Sequence, residues 1–345
     1  MTPLVQPLND DDGVDIIGDV HGEIEALRAL LARLGCDVER GRSQRPIVFV
    51  GDLIDRGPDS VAVVDLVMHL VASGAAKMVL GNHEYNLFHD DRKEGHGWFY
   101  NDDKVDTWFD GVRDVPYESR CATAAERARF LAFFASLPIA LESPTLRVVH
   151  AAWTPDAIEC ARQARDFIEF TSQKASCTRA DFDLTGAPSI ADLHEPRVPV
   201  AFHAGLADYN VAKQNGVPVK VLTSGPEQPI SAGSMPKFLS GKWRMVERSP
   251  WWQTDDDPRA VVFGHYWRRR PGVAFDDKPD PFAPAPANAW FGRRNQAFCV
   301  DFSVGYRYRA RHFRQDPTVK YGLAALRLPE RVLVFDDRDD PMPTI

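Results

Sequence analysis

Three short polar segments, each placed directly after an apolar run, constrain this chain more than any other feature. They are Gly18-Asp19-Val20-His21-Gly22, Gly51-Asp52-Leu53-Ile54-Asp55-Arg56-Gly57 and Gly81-Asn82-His83-Glu84. The runs before them, Val14-Asp15-Ile16-Ile17, Ile47-Val48-Phe49-Val50 and Met78-Val79-Leu80, read as β-strands, and each motif leads towards a helix. Asp19, Asp52 and Asn82 follow one another at 33 and 30 residues, the length of a βαβ unit. Two such units in succession predict parallel strands with polar residues at their carboxyl ends, where α/β sheets place ligands. Asp, His and Asn are the oxygen and nitrogen donors that suit Mn, Fe or Zn.

The helices between the motifs are core-packing elements. Leu27, Leu30, Leu31 and Leu34 recur at helical spacing, with Gly35 as a stop. Pro58 is expected in a first turn, and Val61, Val64, Leu66, Val67, Leu70 and Val71 form a broad apolar face before Gly74. Such helices return the chain so that the next strand lies parallel and right-handed beside the last. Residues 85–120, rich in His89, Trp98, Phe99, Tyr100, Trp108 and Phe109, break this rhythm as an inserted loop or short helices. A helix is expected over 126–137, then a strand, Leu146-Arg147-Val148-Val149, running into His150. The polar stretch 155–195 reads as a cap or side insertion, helical at first. Strand-like runs return at 198–202, 219–222, 260–263, 297–302, 323–328 and 332–335. Pro279, Pro281, Pro284 and Pro286 mark a loop over 276–290, and Asp336–Asp340 reads as a frayed acidic tail. The expected organisation is one catalytic domain over 13–336, with insertions at about 85–120 and 155–195, followed by an acidic tail over 337–345.

Composition narrows the partners. The 345 residues are 44% hydrophobic, enough for a sizeable core, and the formal net charge of −8 disfavours nucleic acid. Arg268-Arg269-Arg270 and the Arg307–Arg314 stretch are the candidates for a local polyanion patch. Cys36, Cys121, Cys160, Cys177 and Cys299 form no CxxC pattern and are odd in number, which fits a reduced compartment. The N-terminus lacks a basic and an apolar signal region, and no apolar run approaches the roughly 20 residues needed to span a bilayer. A cytoplasmic location without a membrane partner is expected.

The quoted motifs resemble the calcineurin-like metallophosphoesterase superfamily. Within it they look like the phosphoprotein-phosphatase branch, which includes Ser/Thr protein phosphatases and diadenosine tetraphosphate hydrolases. The resemblance covers roughly 14–155 and Gly264-His265; the segment of about 155–255 matches no motif. It implies a four-layer α/β/β/α sandwich of two central mixed sheets, with a dinuclear metal site at the carboxyl ends of the strands. Two divalent ions are implied, Mn first, with Fe or Zn as alternatives. The resemblance places Asp19 and His21 with Asp52 on the first metal, and Asn82, His150 and His265 with Asp52 on the second. A bridging carboxylate is needed because cations about 3.5–4 Å apart repel unless an anion lies between them. His203, in Phe202-His203-Ala204-Gly205, competes with His150, which is followed by alanine where the family usually has glycine. Chain distance from Asn82, 68 residues against 121, favours His150. Many family members end in Gly-His-x-His, but here the segment is Gly264-His265-Tyr266-Trp267. Tryptophan cannot ligate, so the first metal keeps fewer protein ligands, as in the phosphoprotein-phosphatase branch.

The resemblance also assigns the chemistry. His83 is the candidate general acid, held by Asp55, and Arg56 is the fork that grips phosphate oxygens. Diadenosine-tetraphosphate hydrolases tend to carry a non-acidic residue where this chain keeps Asp55. Arg244, with Arg248 beyond it, is the candidate for a second substrate-binding arginine, and Asp301 for an acidic residue behind the ligands. The implied reaction is one in-line attack on phosphorus by a hydroxide shared between the metals, with no phosphoenzyme. The substrate is a phosphorylated small molecule, a nucleotide or a phosphoprotein. Gly81-Asn82-His83-Glu84 and Asp55 favour a phosphomonoester, phosphoserine or phosphothreonine included. The aromatic residues over 98–109 and Trp243, Trp251 and Trp252, if they stack on a base, favour a nucleoside or dinucleoside polyphosphate. A binding module without catalysis is disfavoured by the complete set of ligands and acid.

Overall fold

The computed structural model describes residues 3–89, 92–100, 106–231, 233–239, 241–273 and 281–345. Val14–Ile17 is a strand buried along its whole length, as a parallel strand covered on both faces must be. The helix Ile24–Arg33 buries Leu27, Leu30 and Leu31, and Gly35 takes the positive φ that ends it. After the strand Ile47–Phe49, the helix Ser60–Ala72 starts at Asp59, whose side chain accepts from the Ala62 N–H at 2.9 Å. Pro58 therefore precedes the cap and does not enter the first turn. The third strand, Ala76–Met78, starts two residues earlier than the apolar run Met78-Val79-Leu80. Val79 N still bonds to Phe49 O, but Leu80 N turns to Pro138 O. The chain thus leaves the sheet in time to deliver Asn82.

These three strands lie parallel in a six-stranded mixed sheet. Its order is Met342–Pro343, Val332–Phe335, Ala324–Leu328, Val14–Ile17, Ile47–Phe49, Ala76–Met78. A second mixed sheet runs Val5–Pro7, Ala140–Glu142, Leu146–Val149, Ala260–Phe263, Ala297–Cys299. One apolar cluster joins them: Val14, Ile16, Val48 and Val50 meet Leu141, Val148, Val262 and Phe298. Ile17, Ile47, Phe49 and Met78 belong instead to the cluster that holds the leucines and valines of the two helices. The buried Asp15 in the first strand forms two hydrogen bonds with Arg327, its register partner, at 2.7 and 2.9 Å.

Register sets the site. Leu146–Val149 and Ala260–Phe263 run parallel with Ala260 beside Leu146, so His150 and His265 leave the sheet at one edge. Gly264 N donates to His150 O at 2.8 Å there. In the other sheet Ile16 lies beside Val48, and both chains emerge into the Asp19 and Asp52 segments, where Val20 N and His21 N bond to Asp52 O.

Several expected elements differ. Residues 198–202 form no strand, and 219–222 belong to the helix Pro218–Ser224. Pro218 opens that helix, and Val219, Val221, Leu222 and Thr223 are buried, so tertiary burial overrides a β-branched composition. The helix expected over 126–137 is Ala124–Ala135, with Thr123 and Glu126 forming a capping box. The strand expected over 297–302 is Ala297–Cys299. Of the 276–290 loop, 281–290 lacks helix and strand, while Pro279 lies outside the described residues. The acidic tail is not frayed. Asp336 pairs with the buried Arg307 at 2.7 Å, Asp337 pairs with Arg270, and Met342–Pro343 joins the six-stranded sheet. Fixed cations and free strand edges are what the tail's own sequence cannot display. Among the described residues no helix is long and apolar enough to cross a membrane.

Candidate metal centre

The six residues expected as ligands meet. His150 Nε2 lies 3.3 Å from Asp52 Oδ2 and 3.1 Å from Asn82 Oδ1, and His265 Nδ1 lies 2.8 Å from Asn82 Oδ1. His21 Nε2 is 3.8 Å from Asp52 Oδ2 and 3.9 Å from Asp19 Oδ2. Asp52 thus faces both histidine groups. Two backbone carbonyls set the imidazoles: His21 Nδ1 bonds to Ile54 O at 2.9 Å and His150 Nδ1 to Val50 O at 2.8 Å. A carbonyl only accepts, so both rings carry a proton on Nδ1 and turn Nε2 inward.

The backbone is strained at this place. Among the described residues ten non-glycine residues have positive φ, and six of them are His21, Asp52, Asp55, Arg56, His265 and Trp267. Each such residue costs on the order of 1–3 kcal/mol, and such strain gathers at functional sites. Glu84, fully buried, holds two of the turns by accepting from Asp52 N, Leu53 N and Gly81 N at 2.9, 2.7 and 3.1 Å. Burial and the nearby Asp52 carboxylate push its pKa up to about 8. Two glycines are required by close approach: a Cβ at Gly81 would lie 2.3 Å from Asp52 N, and one at Gly264 2.0 Å from Asp19 Oδ1.

The electrostatics suit a cation. Burial and the neighbouring Asp301 and Asp52 carboxylates hold Asp19 well above the usual carboxylate range. Burial also raises Asp301. Burial opposes the charge on Asp52, but His150 and His83 hold it well below that range. Burial lowers His21 and His265, with Arg56 adding to the first and Arg248 to the second. Burial opposes the charge on His150 as well, but Asp52 raises it; buried carboxylates that repel one another beside the neutral imidazoles of His21 and His265 are a donor set that divalent ions satisfy.

Arg56 and His83 border the cluster. Arg56 Nη1 lies 2.9 Å from His21 Nε2, and Nη2 lies 3.2 Å from His83 Nε2. Its guanidinium packs against the rings of Trp267 and Tyr306, at 5.3 and 5.8 Å to the centroids. Position 267, where a ligand histidine is lacking, instead supports the arginine. His83 Nδ1 meets Asp55 Oδ2 at 2.5 Å, and His83 N donates to Asp52 Oδ1 at 2.9 Å. Burial opposes the charge on Asp55, but His96 and His83 keep it well below the usual range. Asp301 accepts from Trp267 N and Ser303 N at 3.0 and 2.8 Å, behind the ligands.

The family model for the calcineurin-like phosphoesterases matches residues 14–174. The match takes in just under half of the chain. A bis(5'-nucleosyl)-tetraphosphatase PrpE of Oceanobacillus iheyensis is 49% identical over 79 residues, covering 22% of this chain and 32% of that protein. One of Bacillus velezensis is 30% identical over 165 residues, covering 45% of this chain and 62% of that protein. The chain thus spans about a third of the length of the first relative. A solved protein serine/threonine phosphatase from Saccharomyces cerevisiae is 11% identical with a TM-score of 0.46, covering 99% of this chain and 84% of the other.

In this chain the structure brings Asp19, His21, Asp52, Asn82, His150 and His265 together, with Asp55, Arg56 and His83 beside them. His203 lies elsewhere: it caps the helix Ala204–Asn215 and its Nε2 meets Thr185 O at 3.0 Å. We expect His150→Ala to lower bound metal and abolish turnover, and His203→Ala to retain both; the reverse result in metal analysis and kinetics would exchange the two. Arg244 sits in the strand Lys242–Arg244, its Nε donating to Leu239 O, with no contact to the cluster among the described interactions. Arg248 bonds to Glu227 at 2.8 Å and is close enough to act on His265.

The aromatic residues weighed as base-stacking surfaces are mostly interior. Trp98, Trp108, Trp251 and Trp252 are each 5% exposed or less, the last two packed on Phe263, and Trp243 Nε1 donates to Glu195 O. Several residues of the arginine runs are interior or paired too: Arg268 donates to Ala289 O and Pro286 O, and Arg311 pairs with Glu23. Sequence reading assigned no role to Glu84, His96 or Tyr306. Glu84 stood within its motif as the signal; the other two meet the site only through tertiary packing.

Proposed function

We propose that this chain hydrolyses a phosphate monoester, phosphoserine and phosphothreonine included, in a single displacement by water. Asp19, His21, Asp52, Asn82, His150 and His265 would hold two divalent ions, manganese first. Bound there, such ions supply Lewis acidity to a water nucleophile and to phosphate oxygens. The observation that carries the reading is the Asp55–His83 pair, whose Nε2 face is turned towards Arg56 and Asp52. Arg56 offers a fork of N–H groups for two phosphate oxygens, kept in place by Trp267 and Tyr306. His83 gives its Nδ1–H to Asp55, which leaves Nε2 as the nitrogen that carries the transferable proton. That proton passes to the leaving oxygen as the P–O bond breaks. We further infer that residues 13–336 act as one catalytic unit of the four-layer α/β/β/α type.

A second reading, hydrolysis of a dinucleoside polyphosphate, is supported by the names of the relatives. Its weight is limited by the share of those proteins that is matched and by the burial of Trp98, Trp108, Trp251 and Trp252.

One experiment separates the two: p-nitrophenyl phosphate, a phosphoserine peptide and diadenosine tetraphosphate, each with Mn supplied. The proposal expects turnover of the first two. Turnover of diadenosine tetraphosphate alone would replace it with the second reading, and no turnover with Mn, Fe or Zn would overturn both.

A further inference from the structure

The 85–120 insertion carries two side chains onto the residue that holds His83. His96 and Trp98 are buried, at 0% and 3% exposure, in the turn and the short helix Gly97–Tyr100. The Trp98 indole N–H donates to Asp55 Oδ1 at 2.6 Å, while His96 Nε2 lies 3.3 Å from Asp55 Oδ2, the oxygen that His83 also engages. Lys93 N donates to His96 Nδ1 at 3.4 Å, so Nδ1 is the accepting nitrogen and the ring proton sits on Nε2, towards Asp55. Asp55 is fully buried, and its backbone N–H donates to Ser60 Oγ at 2.9 Å. The insertion is itself anchored, since Ala122 N donates to Trp98 O at 2.7 Å and Arg127 reaches Phe99 O.

A buried carboxylate with one partner is poorly fixed, and desolvation favours its neutral form, which no longer draws on an imidazole N–H. Here the N–H groups of His83 and Trp98 each hold one carboxylate oxygen, and the His96 ring stands 3.3 Å from the oxygen that His83 engages. We propose that His96, with Trp98, is a positioning residue for the proposed general acid: the insertion orients Asp55, and Asp55 orients His83. The 85–120 insertion thereby completes the proton-donating side of the centre. This rests on the reading of His83 as the proton donor to the leaving oxygen.

The test uses the full chain with Mn and four variants: His96→Phe, His96→Gln, Trp98→Phe and His83→Asn. Loss of the Trp98 hydrogen bond to a charged partner predicts a fall of about 10–100-fold in kcat on an alkyl phosphate for Trp98→Phe, and loss of the His96 contact a fall of the same kind but smaller for His96→Phe, each with KM near wild type. The fall on p-nitrophenyl phosphate should be several-fold smaller, because that leaving group needs little proton. His96→Gln, which keeps an N–H group towards Asp55, should recover most of the loss seen in His96→Phe. Trp98→Phe keeps an aromatic ring in the core and should repeat the leaving-group dependence. In a His83→Asn background, His96→Phe should add nothing. Equal losses on both substrates, full additivity with His83→Asn, or loss of a bound ion would overturn the proposal; the last would make Asp55, His83 and His96 a metal site. If the wild type hydrolyses neither substrate, the functional reading fails separately. The low-field Nδ1–H resonance of His83 in ¹⁵N-labelled, metal-free protein then decides. Its loss in folded His96→Phe supports the positioning role, and an unchanged resonance overturns it.

Discussion

Asp52→Asn is expected to abolish turnover and to remove more than one metal ion per chain. Asp52 is the carboxylate that faces both histidine groups, with Oδ2 3.3 Å from His150 Nε2 and 3.8 Å from His21 Nε2. Asparagine has nearly the same volume, so the turn that Glu84 holds through the Asp52 and Leu53 N–H groups should persist. What is lost is the negative charge that lets two cations lie close together. Metal analysis beside kinetics on a folded variant checks this. Loss of a single ion with partial activity would show that Asp52 serves one metal only.

His83→Asn behaves differently, because this side chain bonds to Asp55 and is expected to touch no metal. Two ions should remain. On an alkyl phosphate the rate should fall by roughly 10²–10⁴, the usual contribution of general acid catalysis. On p-nitrophenyl phosphate the fall should be much smaller. Equal losses would leave His83 an electrostatic or structural residue and would remove the carrying observation of the proposed function.

The residues that were legible in the sequence are those whose role is set within a few positions of a strand end. Asp19, His21, Asp52, Asn82 and His83 follow buried strands, and the structure gathers them because strand register aligns those ends. His150 and His265 were less marked locally, and they meet through the pairing of Leu146–Val149 with Ala260–Phe263, a contact over more than a hundred residues. The helix Pro218–Ser224 was misread as a strand because Val219, Val221 and Leu222 carry β-type composition, while packing against neighbouring helices decides their state. The C-terminal segment was misread for a related reason: Arg270 and Arg307, distant in sequence, hold Asp337 and Asp336. Trp251 and Trp252 show the reverse error, a functional surface inferred from residues that fill the core. His96 and Trp98 carry no local pattern, and only the folded insertion brings them onto Asp55.

The central claim is a two-metal centre bridged by Asp52, and anomalous diffraction from Mn-loaded crystals tests it most directly. Two peaks about 3.5–4 Å apart are predicted, one between Asp19, His21 and Asp52, the other between Asp52, Asn82, His150 and His265. A single peak, or a principal peak among Asp55, His83 and His96, would contradict it.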